Sequence, residues 1–310
     1  MASNLCILCP GQGAQVLGMG KDYFESSPAA RQTFEAADRV LGFALSAICF
    51  GGPEDRLNQT DVSQPAIYVT SIACFRAAVE AGVLDESAIG ACAGLSLGEY
   101  TALHLAGVFG FEDGLRLVAA RGRLMQEAAV ASPSGMVAIM GGDEAAVTQL
   151  CQENAGGEVL VPANFNSPGQ IVVSGASGAC QRIIAAAEAR GLKAIPLKVA
   201  GAFHSPLMQP AADRMAEALA KVAIQVPRVT VYANVTARPH TDADSIRRLL
   251  VDQIVRPVRW EQTMQALVAD ASLRLVELAP GRTLTGLAKK INRRLTVDSL
   301  AAADAIAQKG

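Results

Sequence analysis

Ser96 stands in Gly94-Leu95-Ser96-Leu97-Gly98-Glu99-Tyr100, a G-x-S-x-G pattern. A serine there becomes a nucleophile when the chain reverses so tightly around it that its backbone is strained and its neighbours must lack side chains. The small, apolar Ile89-Gly90-Ala91-Cys92-Ala93 ahead of it reads as a buried strand, and Thr101 to Gly107 behind it as a helix. In that context the hydroxyl stands exposed at the carboxyl end of a sheet, and the N–H of Leu97, first in the helix, faces any oxyanion that forms.

A serine nucleophile needs a base, and the chain has three histidines. His104 lies eight residues beyond Ser96 on the same helix, about 12 Å along its axis and out of reach. His240, in the polar Arg238-Pro239-His240-Thr241-Asp242, is expected in solvent. His204, in Ala202-Phe203-His204-Ser205, is the candidate that remains, as a Ser–His dyad oriented by a carboxylate or by a backbone carbonyl.

Two further features could bind charge. Between Gly114 and Ala129 the apolar residues Leu117, Val118, Leu124, Met125 and Ala128 fall at helical spacing on one stripe, and Arg121 lies on it. An unpaired arginine on a buried face costs several kcal/mol, on the order of 3–5, so Arg121 requires either an internal carboxylate or an anionic substrate. The loop Pro10-Gly11-Gln12-Gly13-Ala14-Gln15 after the first strand fits neither a P-loop nor a dinucleotide fingerprint. It is a plain turn, or it supplies a second oxyanion donor, the N–H of Gln12, beside Ser96.

Alternating strands and helices must position these groups. Strands are expected at Leu5 to Cys9, Val229 to Asn234 and Arg274 to Leu278, with helices from Gly20 to Val40, from Ala66 to Ala81 after Gln64-Pro65, and from Ser245 to Val255. Between Ser132 and Val199 the order reads β-α-β-β-α-β, with Asp143 capping the first helix, which is the ferredoxin-like unit. The chain therefore divides into a large domain, residues 1–131 and 200–310, and a small inserted domain, residues 132–199. His204 follows directly where the insert ends and the chain re-enters the cleft.

Composition limits the alternatives. With 51% hydrophobic residues in 310, the chain can bury a sizeable core, and a net charge of -2 argues against a generally basic nucleic-acid binder. No apolar run reaches the roughly 18 residues of a membrane span and no basic leader precedes the first strand, so a cytoplasmic enzyme is expected, without membrane association. Seven cysteines, an odd number in apolar surroundings, read as buried free thiols. Cys6 and Cys9 form a C-x-x-C within a strand, where a redox pair is not expected, and no second pair completes a zinc site. The two N-x-T sequons at Asn58 and Asn234 are idle without a secretion signal.

Gly11-Gln12-Gly13-Ala14-Gln15, the Ser96 motif, Arg121-Gly122-Arg123-Leu124-Met125-Gln126, Asn164-Phe165-Asn166-Ser167-Pro168-Gly169-Gln170 and Ala202-Phe203-His204-Ser205 occur in this order. Together they strongly resemble the malonyl-CoA:acyl carrier protein transacylases and the related acyltransferase domains of polyketide synthases, over nearly the whole chain. The resemblance implies an α/β fold, with an α/β-hydrolase-like large domain and the active site in the groove against a ferredoxin-like small domain. It implies Ser96 as nucleophile, His204 as base and acid, and the N–H groups of Gln12 and Leu97 as oxyanion hole. Arg121 would hold the malonyl carboxylate, the backbone carbonyl of Gln253 would orient His204, and Asn166 would line the pocket. Phe203, bulky beside the base, resembles the malonyl-selective choice. Leu95 departs from the histidine many members carry before the serine.

The implied reaction is a ping-pong transfer of malonyl from malonyl-CoA, through malonyl-serine, to the phosphopantetheine thiol of acyl carrier protein, with no cofactor or metal, in a monomer of the cytoplasm or of an organelle lumen after processing. An esterase or thioesterase would instead show a third acid on His204 and no buried arginine. A non-catalytic carrier-docking module would not need Ser96. Lys289, Lys290, Arg293 and Arg294 are a solvated helix face or a patch for an acidic carrier protein.

Overall fold

Leu5-Cys6-Ile7-Leu8-Cys9 has no polar position to turn toward water, the pattern of a strand covered on both faces. In the computed structural model, which describes residues 4–270 and 272–308, it forms β1 (Leu5–Cys9), buried throughout. The other strands in chain order are β2 (Ile89–Gly94), β3 (Ser134–Met140), β4 (Leu160–Ser167), β5 (Gln170–Ala176), β6 (Lys193–Pro196), β7 (Thr230–Ala233), β8 (Arg238–Pro239), β9 (Arg274–Leu278) and β10 (Val297–Leu300). They make two sheets. The larger runs β10-β9-β1-β2-β7-β8, parallel except for β8, which pairs antiparallel with β7.

Register decides where the loops meet. Cys9 pairs with Gly94, so the Pro10 to Gln15 loop and the turn at Leu95 leave the sheet side by side at one edge. Cys6 and Cys9, three apart on a strand, point to opposite faces: Cys6 packs with Leu8 and Trp260, Cys9 with Ile7 and Phe34. All seven cysteines are free and buried, and burial pushes the Cys6 and Cys9 thiols well up, as inert core residues rather than a redox pair.

The smaller sheet, β4-β5-β3-β6, is antiparallel throughout and is backed by helices Glu144–Asn154 and Ser177–Ala189 over a core of its own around Ile139, Leu150, Val173 and Ile183. Asp143 caps the first helix, accepting from Ala146 N at 2.8 Å. Backbone groups help fasten this layer to the rest at two places. Ala202 N donates to Ser134 Oγ at 3.1 Å where the segment leaves and returns. Phe165 N donates to the Val258 carbonyl, and Val258 N to that of Ala163, both at 2.9 Å.

Several boundaries differ from expectation for physical reasons. The helix expected from Ala66 begins at Thr60 and runs to Glu80 with Pro65 inside it. A proline in the second turn forfeits its own bond back to the carbonyl four residues earlier and crowds that carbonyl, a cost set against the burial of most of the helix, and Thr60 N is held by Gln126 Oε1 at 3.1 Å. The helix expected from Gly20 to Val40 breaks into Lys21–Ser26 and Pro28–Leu41, because Ser27 caps the second piece ahead of a proline at its first position. Strand β10, with partly exposed side chains and Asp298 in it, has no clear alternation and was not anticipated. Among the described residues no helix is long and apolar enough to cross a membrane.

Candidate active site

The turn after β2 is built by glycine at backbone contact distance. A Cβ on Gly94 would lie 1.9 Å from the Gly98 carbonyl carbon, one on Gly98 2.1 Å from the Cys9 oxygen, and one on Gly11 2.2 Å from the Leu95 oxygen. Ser96 at the apex has φ 52°, a left-handed conformation that costs a serine on the order of 1 kcal/mol. Helix Gly98–Leu105 follows at once. The backbone N–H groups of Leu97 and Gln12 donate to no acceptor among the described residues. They flank the serine from the two adjacent loops.

The chain brings His204 to Ser96 across 108 positions. Its Nε2 lies 2.8 Å from Ser96 Oγ, and its Nδ1 lies 2.7 Å from the backbone oxygen of Gln253. A carbonyl can only accept, so Nδ1 carries the proton and Nε2 turns its lone pair toward the hydroxyl. Among the described residues no carboxylate hydrogen-bonds this ring. His204 has φ 58° and is buried. Burial, and next the nearby Arg121 charge, lower its pKa to about 4, so the ring is neutral and able to accept a proton near pH 7.

Arg121 sits on the buried face of helix Phe111–Ala131, at 1% exposure. Its partners are all neutral: Nη1 donates to Gln64 Oε1 at 2.6 Å, and Nη2 to Ser96 Oγ at 3.0 Å and Gln253 Oε1 at 2.9 Å. The guanidinium carbon lies 5.6 Å from the Tyr100 ring centroid, and Nε has no partner among the described residues. Among the described residues the internal salt bridge that periodicity left open is not formed, which leaves a buried cation beside the serine with room for an anion.

These groups open on one cavity of about 670 Å³ lined by Gln12, Ser96, Arg121, Asn166, Phe203 and His204 among others. Asn166 presents a buried Oδ1 with no partner among the described residues, and the Phe203 backbone is tied by Ser174 Oγ at 2.5 Å. Leu95 lines the same cavity. Leu97 contributes only backbone, its side chain being buried in the core. Among the described residues no group of three or more His, Cys, Asp and Glu side chains is placed to hold a metal ion.

The expectation for His240 requires correction. Strand β8 folds its loop back against β7, His240 N donates to the Val231 carbonyl at 2.8 Å, and the ring is buried with Nε2 2.8 Å from Glu99 Oε1. His104 is elsewhere, bonded to the Phe109 carbonyl at 3.1 Å between the rings of Tyr68 and Phe111. Sequence reasoning also missed Gln64, Glu99 and Asn234. Glu99 is buried although it directly follows the glycine of the motif, and Asn234, read only as an idle sequon, is committed to contacts inside the protein.

The model of the acyl transferase domain family matches residues 7–304. The chain belongs to the acyl transferase family. Curated acyltransferases similar to it include the malonyl CoA-acyl carrier protein transacylase of Escherichia coli K12, 42% identical over 299 residues and covering 96% of each chain, and that of Bacillus subtilis, 40% identical over 295 residues, 94% of this chain and 92% of the other. Among solved structures, the malonyl CoA-acyl carrier protein transacylase of Coxiella burnetii superposes with a TM-score of 0.94 at 38% identity, covering 99% of this acyltransferase and 98% of that chain. A malonyl-transacylase solved in complex with a type II polyketide acyl-carrier protein does so at 0.93 and 39% identity, covering 99% and 98%.

Proposed function

We propose that this acyltransferase moves a malonyl group from malonyl-CoA to the phosphopantetheine thiol of acyl carrier protein, supplying extender units for fatty-acid synthesis. Its single strongest support is Arg121, a buried cation whose Nη2 reaches the serine hydroxyl and whose partners are all neutral. A hydrolase of neutral esters would gain nothing from it.

Ser96 attacks the malonyl thioester as His204 Nε2 takes its proton. The tetrahedral oxyanion is received by the N–H groups of Gln12 and Leu97, donors whose bonds are free to strengthen as charge develops. His204 gives the proton to the departing CoA thiolate, and the malonyl ester remains on Ser96. The carrier thiol then repeats the sequence in reverse order of groups, with His204 again accepting and returning the proton. The Gln253 carbonyl keeps the histidine in the tautomer both halves need. Arg121 pairs with the free carboxylate, a contact acetyl-CoA cannot make, while Asn166 and Phe203 shape the acyl pocket.

In this reading the six-stranded unit, residues 1–131 and 200–310, is an α/β-hydrolase-like domain, and residues 132–199 form a ferredoxin-like insert, supported by the strand order β4-β5-β3-β6. The chemistry is complete with side chains and thioesters, so no cofactor is called for. The protein acts as a monomer in the cytoplasm, or in an organelle lumen after processing.

The test is intact-protein mass spectrometry after brief mixing with malonyl-CoA or acetyl-CoA, for the wild type and Ser96→Ala. A malonyl increment that Ser96→Ala abolishes, with little acetyl adduct, is the expected result. Free malonate without an adduct would make the protein a hydrolase, and neither product would remove Ser96 and His204 from their roles.

A further inference from the structure

The strained turn that presents Ser96 is braced from below by a side chain that the sequence offered only as part of an idle sequon. Asn234, at the end of β7 and 1% exposed, accepts the Ser96 N–H on Oδ1 at 2.6 Å and donates from Nδ2 to the Gly94 carbonyl at 2.7 Å. The two partners, one a donor and one an acceptor, fix which end of the carboxamide is which. One side-chain amide thus spans the turn from the last residue of β2 to its apex, as a neighbouring strand would if the sheet continued.

Asn234 is itself held in place. Its N–H donates to Glu99 Oε2 at 3.1 Å, and its carbonyl accepts from Arg259 N at 2.8 Å. The same Glu99 oxygen accepts from Gln253 Nε2 at 2.6 Å, and that amide also donates to the Ser96 carbonyl at 2.9 Å. The other Glu99 oxygen faces His240 Nε2 at 2.8 Å. The serine's N–H and its carbonyl are therefore both tied, by Asn234 and Gln253, to one buried carboxylate.

We propose that Asn234 is a positioning residue of the acyl transfer, clamping the turn so that Ser96 Oγ and the Leu97 N–H stay aligned with His204, and that Glu99 fixes this clamp to Gln253, the residue whose carbonyl faces the histidine. The proposal rests on the transfer reaction inferred above. It assigns Asn234 an effect on the acylation step and none on recognition of the malonyl carboxylate, because Arg121 hydrogen-bonds Gln64, Ser96 and Gln253 and, among the described residues, makes no hydrogen bond to Asn234, whose Oδ1 accepts from Gln253 Nε2 at 3.4 Å.

The experiment compares wild type, Ser96→Ala, Asn234→Ala and Asn234→Leu, the leucine keeping the branched shape of the amide without its hydrogen bonds. Acylation by malonyl-CoA and by acetyl-CoA is followed by rapid quench and intact mass, with the folded fraction of each variant measured by thermal melting. Both Asn234 variants are expected to lose about 10²-fold in the acylation rate constant per folded molecule, the scale of a misaligned nucleophile. Their KM for malonyl-CoA should change less than about threefold and their malonyl-over-acetyl preference should persist. Unchanged acylation per folded molecule, or a raised KM with the rate constant intact, overturns the proposal. Where Asn234→Ala does not fold, Asn234→Leu decides. If the wild type itself forms no malonyl adduct on Ser96, it is the transfer reaction that fails, and the clamp with it.

Discussion

In the proposed transfer Arg121 and His204 act on one another as well as on substrate. With Arg121→Ala, acylation by malonyl-CoA is expected to fall about 10²-fold or more while acylation by acetyl-CoA changes far less, so the ratio of the two kcat/KM values collapses. The same substitution removes a positive charge that disfavours the imidazolium. In the proposed mechanism neutral His204 is the working form, so kcat/KM for the wild type should rise with pH through about 4, well below the usual histidine range near 6.5. In Arg121→Ala that acid limb should move upward, and acetyl-CoA acylation across pH 4 to 7 measures the shift. An acid limb already near 6.5 in the wild type would contradict the burial of this ring. Residue types carried much of this in the sequence: a serine between glycines, a histidine after elimination of two others, an arginine on an apolar stripe. What they could not carry was His240, because a short polar segment reads as solvent-exposed until β8 is seen folding onto β7.

The turn of β2 into its helix is the element that tolerates least. Gly94→Ala would drive a methyl group to 1.9 Å from backbone of Gly98, which no side-chain rotamer relieves. A loss of roughly 2–4 kcal/mol in unfolding free energy is expected by urea titration, together with loss of acylation by the folded fraction. Gly135→Ala, where a Cβ meets nothing within 4 Å, is the matched control and should change stability by less than about 1 kcal/mol. Strands such as Leu5–Cys9 and Arg274–Leu278, whose bounds matched, were legible as short, mostly apolar runs, and most helices by their spacing of apolar residues. The misses share a cause. Pro65 reads as a stop from local propensity, yet it is carried inside a helix whose residues pack on almost every side, and tertiary burial outweighs one absent hydrogen bond.

Across the whole molecule, two buried histidines link stability to acidity. His204 and His104 are both lowered to about 4, each chiefly by burial. Folded protein therefore stays neutral at these rings while unfolded chain takes up protons below about 6.5, so their contribution is fully present above pH 6.5 and is lost as pH falls to about 4. Unfolding free energy should decline through that window, by roughly a few kcal/mol from the pair. His104→Gln, remote from the cavity, should flatten the decline in urea midpoints measured from pH 7 to pH 4.5 while sparing acylation. The division into two layers was readable from the change in strand and helix order after Ser132. Which surfaces meet across the cleft was not, because the Phe165 and Val258 backbones recognise each other through groups every residue carries.

The contact between Ala202 N and Ser134 Oγ has a kinetic meaning. Ser96 and His204 are separated by 108 positions, and 68 of these lie inside the loop that this one hydrogen bond closes. If the small sheet folds first, its two ends are already together, and the stretch of loose chain that must be drawn in to unite Ser96 and His204 shrinks from 108 residues to about 40. Loop-closure entropy then opposes the meeting by about 0.9 kcal/mol less, a several-fold faster encounter at equal chain mobility. The segment that interrupts the larger fold is, on this account, what shortens the path to its active site.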